Sequence, residues 1–279
     1  MVVVYPDTGE EKRASIEDVG IVILDHSQIT LSQPLLNALL ENNAAILSCD
    51  NKHMPLGMWL NLKGNYTQQK HWHTQIAVSE ARKKRLWKQV IQRKIRNQAA
   101  LLAANGLEVD NMLYWADSVK KGDPENYEGR AAAFYWKSLF MDYIDRFKRG
   151  RYEADANPML NYGYAILRAL VARSLVASGL LPTFGIHHRN SYNAYCLADD
   201  IMEPYRPCVD ALVLQLVKEG YGDADLDTTI KTRLLQIPVQ DVLMNKKLSP
   251  LMNAVQQTTA SLYKCYTGER KILKLPVLS

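Results

Sequence analysis

Apolar and β-branched residues arrive in short runs at the start of the chain, at residues 2–5, 19–24, 44–49 and 54–60, with a looser alternation over 11–16. Runs this short, bounded by turn-forming residues, read as strands. Asp7-Thr8-Gly9 and Asp50-Asn51-Lys52-His53 carry the turn chemistry between them. Before the third run, Ser32 is placed to cap a helix with Pro34 in its first turn, a stripe of Leu35, Leu36, Leu39 and Leu40, and a stop at Asn42-Asn43. Residues 1–66 therefore predict a compact β-rich domain with one helix.

From Gln68 onward the period changes from two to between three and four. Helices are predicted around residues 81–100, 112–119, 127–147, 158–177, 209–219 and 250–266, separated by breaks rich in Gly, Pro or Asp. In the first of these, Leu86, Val90, Ile91 and Ile95 supply the buried face and Gly106 the stop. Few convincing strand patterns interrupt the series. The expected class is α+β: a small N-terminal β-rich domain, then a larger all-helical domain over residues 67–279 that would hold the catalytic site.

Composition adds exclusions. Of 279 residues, 47% are apolar and 23% charged, as in ordinary globular chains, and no run approaches the ~18 uninterrupted apolar residues of a membrane helix. The first apolar run ends at Pro6-Asp7 and has no basic leader, unlike a secretory signal, so a cytoplasmic protein is expected. Cys49, Cys196, Cys208 and Cys265 are too far apart for a zinc motif and read as reduced, partly buried thiols.

The net charge of +5, from 34 basic and 29 acidic side chains, does not by itself indicate a polyanionic partner. Its distribution is more informative. Residues 81–100 hold Arg82, Lys83, Lys84, Arg85, Lys88, Arg93, Lys94 and Arg96 and no acid, and Arg146, Lys148, Arg149 and Arg151 form a second cluster. Such faces suit DNA phosphates, although a basic run is more often a solvated helix face.

Three segments place metal-ligand chemistry in suggestive company: Glu128 in Tyr127-Glu128-Gly129-Arg130, His188 in Gly185-Ile186-His187-His188, and Asp200 with Glu203 in Asp199-Asp200-Ile201-Met202-Glu203-Pro204-Tyr205-Arg206-Pro207. Asp200 and Glu203 are three apart, so one helical turn can aim both at a common point. Carboxylates with one imidazole suit magnesium or manganese. Each residue also has an ordinary explanation. Glu128 favours a helix dipole, paired histidines usually serve as hydrogen-bonding core or loop residues, and Glu203 with Arg206 reads as a surface pair.

Taken in order, Lys94-Ile95-Arg96-Asn97-Gln98, Glu128-Gly129-Arg130-Ala131-Ala132, Asn157-Pro158 with Leu160-Asn161-Tyr162-Gly163-Tyr164, the His188 loop, and Asp200-Ile201-Met202-Glu203-Pro204-Tyr205-Arg206-Pro207 make the chain resemble CRISPR-associated protein one, the spacer-integrating nuclease family. The similarity runs nearly end to end and looks most like the members that accompany type II systems. Family members usually carry further residues before the position where this chain begins.

The resemblance implies that Glu128, His188 and Glu203 ligate Mg2+ or Mn2+, with Asp200 an adjacent acidic residue of the catalytic site. His188 is selected over His187 because the family pattern puts the ligand three residues after the loop glycine. The implied reaction inserts a short DNA fragment at a CRISPR repeat. Duplex DNA, a second copy of the chain forming a homodimer, and the small CRISPR-associated protein two are the implied partners. The competing readings are a non-catalytic helical DNA-binding protein and a metal-dependent phosphohydrolase of small esters.

Overall fold

The computed structural model describes residues 1–5, 8–51 and 54–278, so Asp7 and Lys52-His53 of the expected turns lie outside the described residues. β1 (Val2–Val4) and β2 (Glu11–Arg13) pair as an antiparallel hairpin. β3 (Ile21–Leu24) is followed by α1 (Gln33–Glu41), which crosses over to return β4 (Ala45–Cys49) parallel to β3. β5 (Pro55–Trp59) then adds antiparallel to β4. The start and stop of α1 follow its local signals. Ser32 accepts a hydrogen bond from the Leu35 amide at 3.4 Å, and Asn43 after the last turn takes a left-handed φ of 58°.

Side chains alternate across β4, and that alternation joins the two parts of the molecule. Ile46 packs under α1 with Leu39, while Ala45 and Leu47 face the other way and bury against Ala169 of the helical domain. The β1–β2 hairpin belongs to neither core, and Val2, Val3 and Val4 are exposed. These first five strands thus form two separate sheets.

The helical part runs α2 (Gln68–Ile76), α3 (Glu80–Ala104), α4 (Asp110–Ser118), α5 (Tyr127–Leu139), α6 (Asn157–Ala177), α7 (Cys196–Met202), α8 (Arg206–Leu216), α9 (Thr228–Leu234) and α10 (Leu251–Thr267). α3 packs on α4, α5 and α8 through the expected Leu86, Val90, Ile91 and Ile95, all buried. It ends at Asn105, and Gly106 takes a φ of 79°. α6 is buried nearly all round, against α7, α8 and α10. Among the described residues no helix is long and apolar enough to cross a membrane, and all four cysteines are free.

Two expectations are corrected. The helix predicted over residues 127–147 stops at Leu139, and the chain folds back so that the rings of Phe140 and Phe147 lie 4.6 Å apart. On a continuing helix those positions would be separated by about 10 Å, so the ring-on-ring packing of Phe147 against buried Phe140 goes with the end of the helix. The domain expected to be all-helical also holds a hairpin, β6 (Asp241–Met244) with β7 (Lys247–Pro250), turned through Asn245 and Lys246 at φ of 52° and 65°. Both turn residues are left-handed, the geometry of a tight hairpin, but without the glycine that usually marks one in a sequence.

Candidate active site

Glu128 lies in the first turn of α5, and that turn is held from both sides. Asp123 accepts hydrogen bonds from the amides of Tyr127 (3.0 Å) and Glu128 (2.9 Å), and Asn126 accepts from Gly129 at 3.1 Å. A β-carbon at Gly129 would fall 2.6–2.9 Å from the Asn126 side chain, which is why a glycine follows Glu128.

Asp200 is fully buried in α7 and gathers the loop before it. Its Oδ2 accepts from the amides of Ile186 (2.7 Å) and His187 (2.9 Å). Oδ1 accepts from the amide of His188 (3.2 Å) and lies 2.6 Å from His188 Nδ1. The loop wraps the carboxylate so tightly that a β-carbon at Gly185 would meet the His188 carbonyl at 2.4 Å and Asp200 Oδ2 at 2.8 Å. With Asp200 as acceptor, the His188 proton belongs on Nδ1, and Nε2 keeps its lone pair. The hydrogen bond to Asp200 also raises the pKa of His188 against the opposing effect of burial. Asp199, one position earlier, turns away to Arg168 (2.6 Å) and Asn193 (2.7 Å).

Glu203 opens the 3₁₀ turn Glu203–Tyr205 between α7 and α8. Asn97 of α3 pins this turn by donating to the Pro204 carbonyl at 2.7 Å. Glu203 is 4% exposed, and its Oε1 lies 3.0 Å from Arg206 Nε. The pair read as a surface contact in the sequence is therefore largely buried. Burial pushes the Glu203 carboxyl up, but the charges of Arg206 and Lys94 outweigh it and hold the carboxyl below its ordinary value.

Lys94 corrects the DNA-face assignment. Its ammonium leaves the basic face and enters the site, 2.7 Å from Glu128 Oε1 and 2.6 Å from Glu203 Oε2. Burial opposes its charge, yet Glu203 and Glu128 raise its pKa overall. A sequence signal existed: Lys94 lies four residues after Val90 and three after Ile91, on the buried stripe of α3. Trp87, two turns back from Lys94 on α3, stacks on His187 with ring centroids 4.1 Å apart and meets His188 edge-on at 5.7 Å.

Glu128, Glu203 and Lys94 thus meet, and His188 is near enough that both carboxylates raise its pKa. Among the described residues no three Asp, Glu, His or Cys side chains form a ready cage for a metal ion, because Lys94 stands between the acids. The donor set nevertheless fits a hard divalent cation: two carboxylates and an imidazole nitrogen. Glu203 Oε2 is buried and receives no hydrogen bond, its approach to Lys94 being an ion pair without hydrogen-bond alignment.

The rest of the predicted basic face is uneven. Lys84 and Arg85 are exposed, and Lys88 and Arg93 are partly buried. Arg82 donates to the Tyr266 carbonyl, Lys83 pairs with Glu80 at 3.2 Å, and Arg96 pairs with Asp117. A groove of about 410 Å³ joins Arg82, Arg85 and Lys88 to Lys121, Arg270 and Lys271, so positive charge from distant segments extends the face. Of the second basic cluster, Arg149 is structural. It donates to Asn157 and Asn161 at 2.9 and 2.8 Å and lies over the Tyr164 ring.

A small β region followed by a larger helical domain has solved counterparts. A casposase bound to integration product superposes with a TM-score of 0.79 at 19% identity, over 95% of this chain and 84% of that one. A chain of a Cas6-RT-Cas1–Cas2 complex gives 0.71 at 20% identity, over 90% of this chain and 31% of that one. These likenesses define the fold class. The family is shown by sequence: the model described as CRISPR associated protein Cas1 matches residues 1–237. The CRISPR-associated endonuclease Cas1 of Neisseria meningitidis is 35% identical over 271 residues, 96% of this chain and 88% of that protein. The chain belongs to the Cas1 family.

Proposed function

We propose that this protein is a CRISPR adaptation integrase and DNA nuclease, dependent on Mg2+ or Mn2+, that inserts short DNA fragments into a CRISPR array. The observation that carries this reading is the meeting of Glu128 and Glu203 at one point beside His188, whose second ring nitrogen is fixed by Asp200. The reaction is a transesterification. The 3′-hydroxyl of the fragment attacks a phosphodiester at the repeat edge, a new P–O bond forms, and the bond to the departing 3′-oxygen breaks. No covalent enzyme intermediate is required.

Glu128, His188 and Glu203 are the residues that would hold the divalent ion. When bound, that ion supplies Lewis-acid polarisation of the phosphate and a lowered pKa for the attacking hydroxyl. Asp200 keeps the His188 proton on Nδ1 and so presents Nε2 to the site. Arg206 restrains Glu203 through Oε1. Lys84, Arg85 and Lys88 would contact duplex phosphates, positioning DNA without reading its bases.

Joining both ends of one fragment needs two sites, so the working form is a homodimer bridged to a second dimer by a Cas2-type partner. The Cas1–Cas2 assembly among the structural neighbours supports the partner. The exposed Val2, Val3 and Val4 of the β1–β2 hairpin support the N-terminal region as the dimer surface. Light scattering should then give about twice the 31.7 kDa of one chain.

The test is a strand-transfer assay with the purified chain, its small partner, a short duplex and a repeat-bearing plasmid. Joined product is expected with Mn2+ or Mg2+ and none with EDTA. Joining that persists in chelator overturns the proposal.

A further inference from the structure

Both oxygens of Glu203 are engaged by protein cations: Oε2 by Lys94 Nζ at 2.6 Å and Oε1 by Arg206 Nε at 3.0 Å. Lys94 also holds Glu128 Oε1 at 2.7 Å. A magnesium ion binds its oxygen ligands at about 2.1 Å, so an ion shared by these two carboxylate oxygens must take the space of the Lys94 ammonium. Two cations cannot stay together in so dry a place without strong repulsion. The two basic groups differ in their freedom to leave. Arg206 is tied through a planar guanidinium and also lies over the Tyr164 ring, whereas the Lys94 ammonium ends a flexible stem.

We propose that Lys94 is a built-in counter-cation of the acidic pair, holding Glu128 and Glu203 together in the metal-free protein and yielding its place when a divalent ion binds. It is a positioning residue that sets metal affinity, and the idea rests on the metal-site reading above. In the metal-free protein, the ammonium offsets the mutual repulsion of two carboxylates brought together from α5 and the turn after α7. In the loaded protein it is a competitor that has been moved aside. A purely structural ion pair would behave in the opposite way, since its loss would disorder the carboxylates and weaken any ion they hold.

The test measures Mn2+ binding to the full chain by calorimetry, with thermal unfolding in EDTA and in Mn2+ as a second readout. Lys94→Met removes the charge and keeps an unbranched stem. It is expected to bind Mn2+ at least tenfold more tightly than wild type, to melt lower in EDTA, and to gain more on addition of Mn2+. Lys94→Arg retains the charge and should bind no more tightly than wild type. Glu128→Ala in the Lys94→Met background should remove the gain, which locates it at this site.

A folded Lys94→Met protein with wild-type or weaker Mn2+ affinity overturns the inference while leaving the metal site standing. If neither wild type nor variant binds Mn2+, the metal-site reading itself fails. Should Lys94→Met not fold, Lys94→Gln, neutral but able to donate to a carboxylate, is judged by the same affinity criterion.

Discussion

Replacing Asp200 by Asn changes almost nothing in shape and much in hydrogen bonding. The carboxylate accepts from three backbone amides and from His188 Nδ1, two donors on each oxygen. Asn must put its NH2 where one oxygen was. Facing Ile186 and His187, it leaves two amide donors without an acceptor. Facing His188, it orphans one amide and drives the imidazole to its other tautomer, in which Nε2 carries the proton and no longer offers a lone pair. An unsatisfied buried donor costs about 1–3 kcal/mol, so the variant should lose about 2–4 kcal/mol. At an unfolding entropy of about 2.1 cal/mol/K per residue, that is a fall in Tm of about 3–7 °C, read by far-UV circular dichroism in EDTA.

The loss also has a pH signature. The raised His188 pKa means that the attraction to Asp200 contributes fully below the unfolded histidine value of about 6.5 and is lost as pH rises through the folded value. The deficit of the Asn variant should therefore be larger at pH 6 than at pH 8. Strand joining should fall with it, and 15N-histidine spectra should show the proton leaving Nδ1. A variant that melts within about 1 °C of wild type, with an unchanged tautomer, would show that Asp200 does not organise the His188 loop.

Glu128→Ala and His188→Ala should abolish strand joining while leaving the protein folded, with His188→Ala also losing the pH-dependent stability that its pairing with Asp200 contributes; wild-type joining by either removes that residue from the site. Glu203→Ala should lose activity and also about 3–5 kcal/mol of stability, since it strands Lys94 and Arg206 without a shared carboxylate, and a thermal melt equal to that of Glu128→Ala contradicts this. Asp210 is fully enclosed with the hydroxyls of Tyr135 and Tyr164 at 2.8 and 2.5 Å, and burial pushes its carboxyl up to about 6. The folded state then holds the proton more tightly than the unfolded one, a stabilisation present below about pH 4 and lost as pH rises through 6. Asp210→Asn should accordingly gain in Tm relative to wild type between pH 4.5 and 7.5, and a pH-independent difference refutes the assignment. Replacing Lys84, Arg85 and Lys88 together should lower the slope of log affinity for duplex DNA against log salt by up to about 0.9 per lost phosphate contact, and an unchanged slope makes this a solvated face.

Local signals are enough for much of the fold. The 3.6-residue stripe of Leu86, Val90, Ile91 and Ile95, the Ser32 cap and the Asn42-Asn43 stop act within a few residues, so they are legible in the amino-acid order alone. The expectation for Glu128, His188 and Glu203 rests instead on the family resemblance that the ordered motifs carry. The end of α5 is not legible there, because it depends on two phenylalanines finding each other rather than on a helix stop signal. Nor is the β6–β7 hairpin, whose left-handed turn lacks glycine.

Within the site, amino-acid order supplies the residue types, and folding sets the partner that each one meets. Asp199 and Asp200 are adjacent and chemically alike, yet a rotation of about 100° on α7 sends one to Arg168 and the other under the His188 loop. Lys94 is one of eight basic residues in a stretch without acids, and its charge alone assigns it to the DNA face. Its helical phase turns it inward, where two carboxylates from other elements compensate a charge that could not otherwise be buried. Charge is a property of one residue, but the partner that makes its burial possible comes from folding.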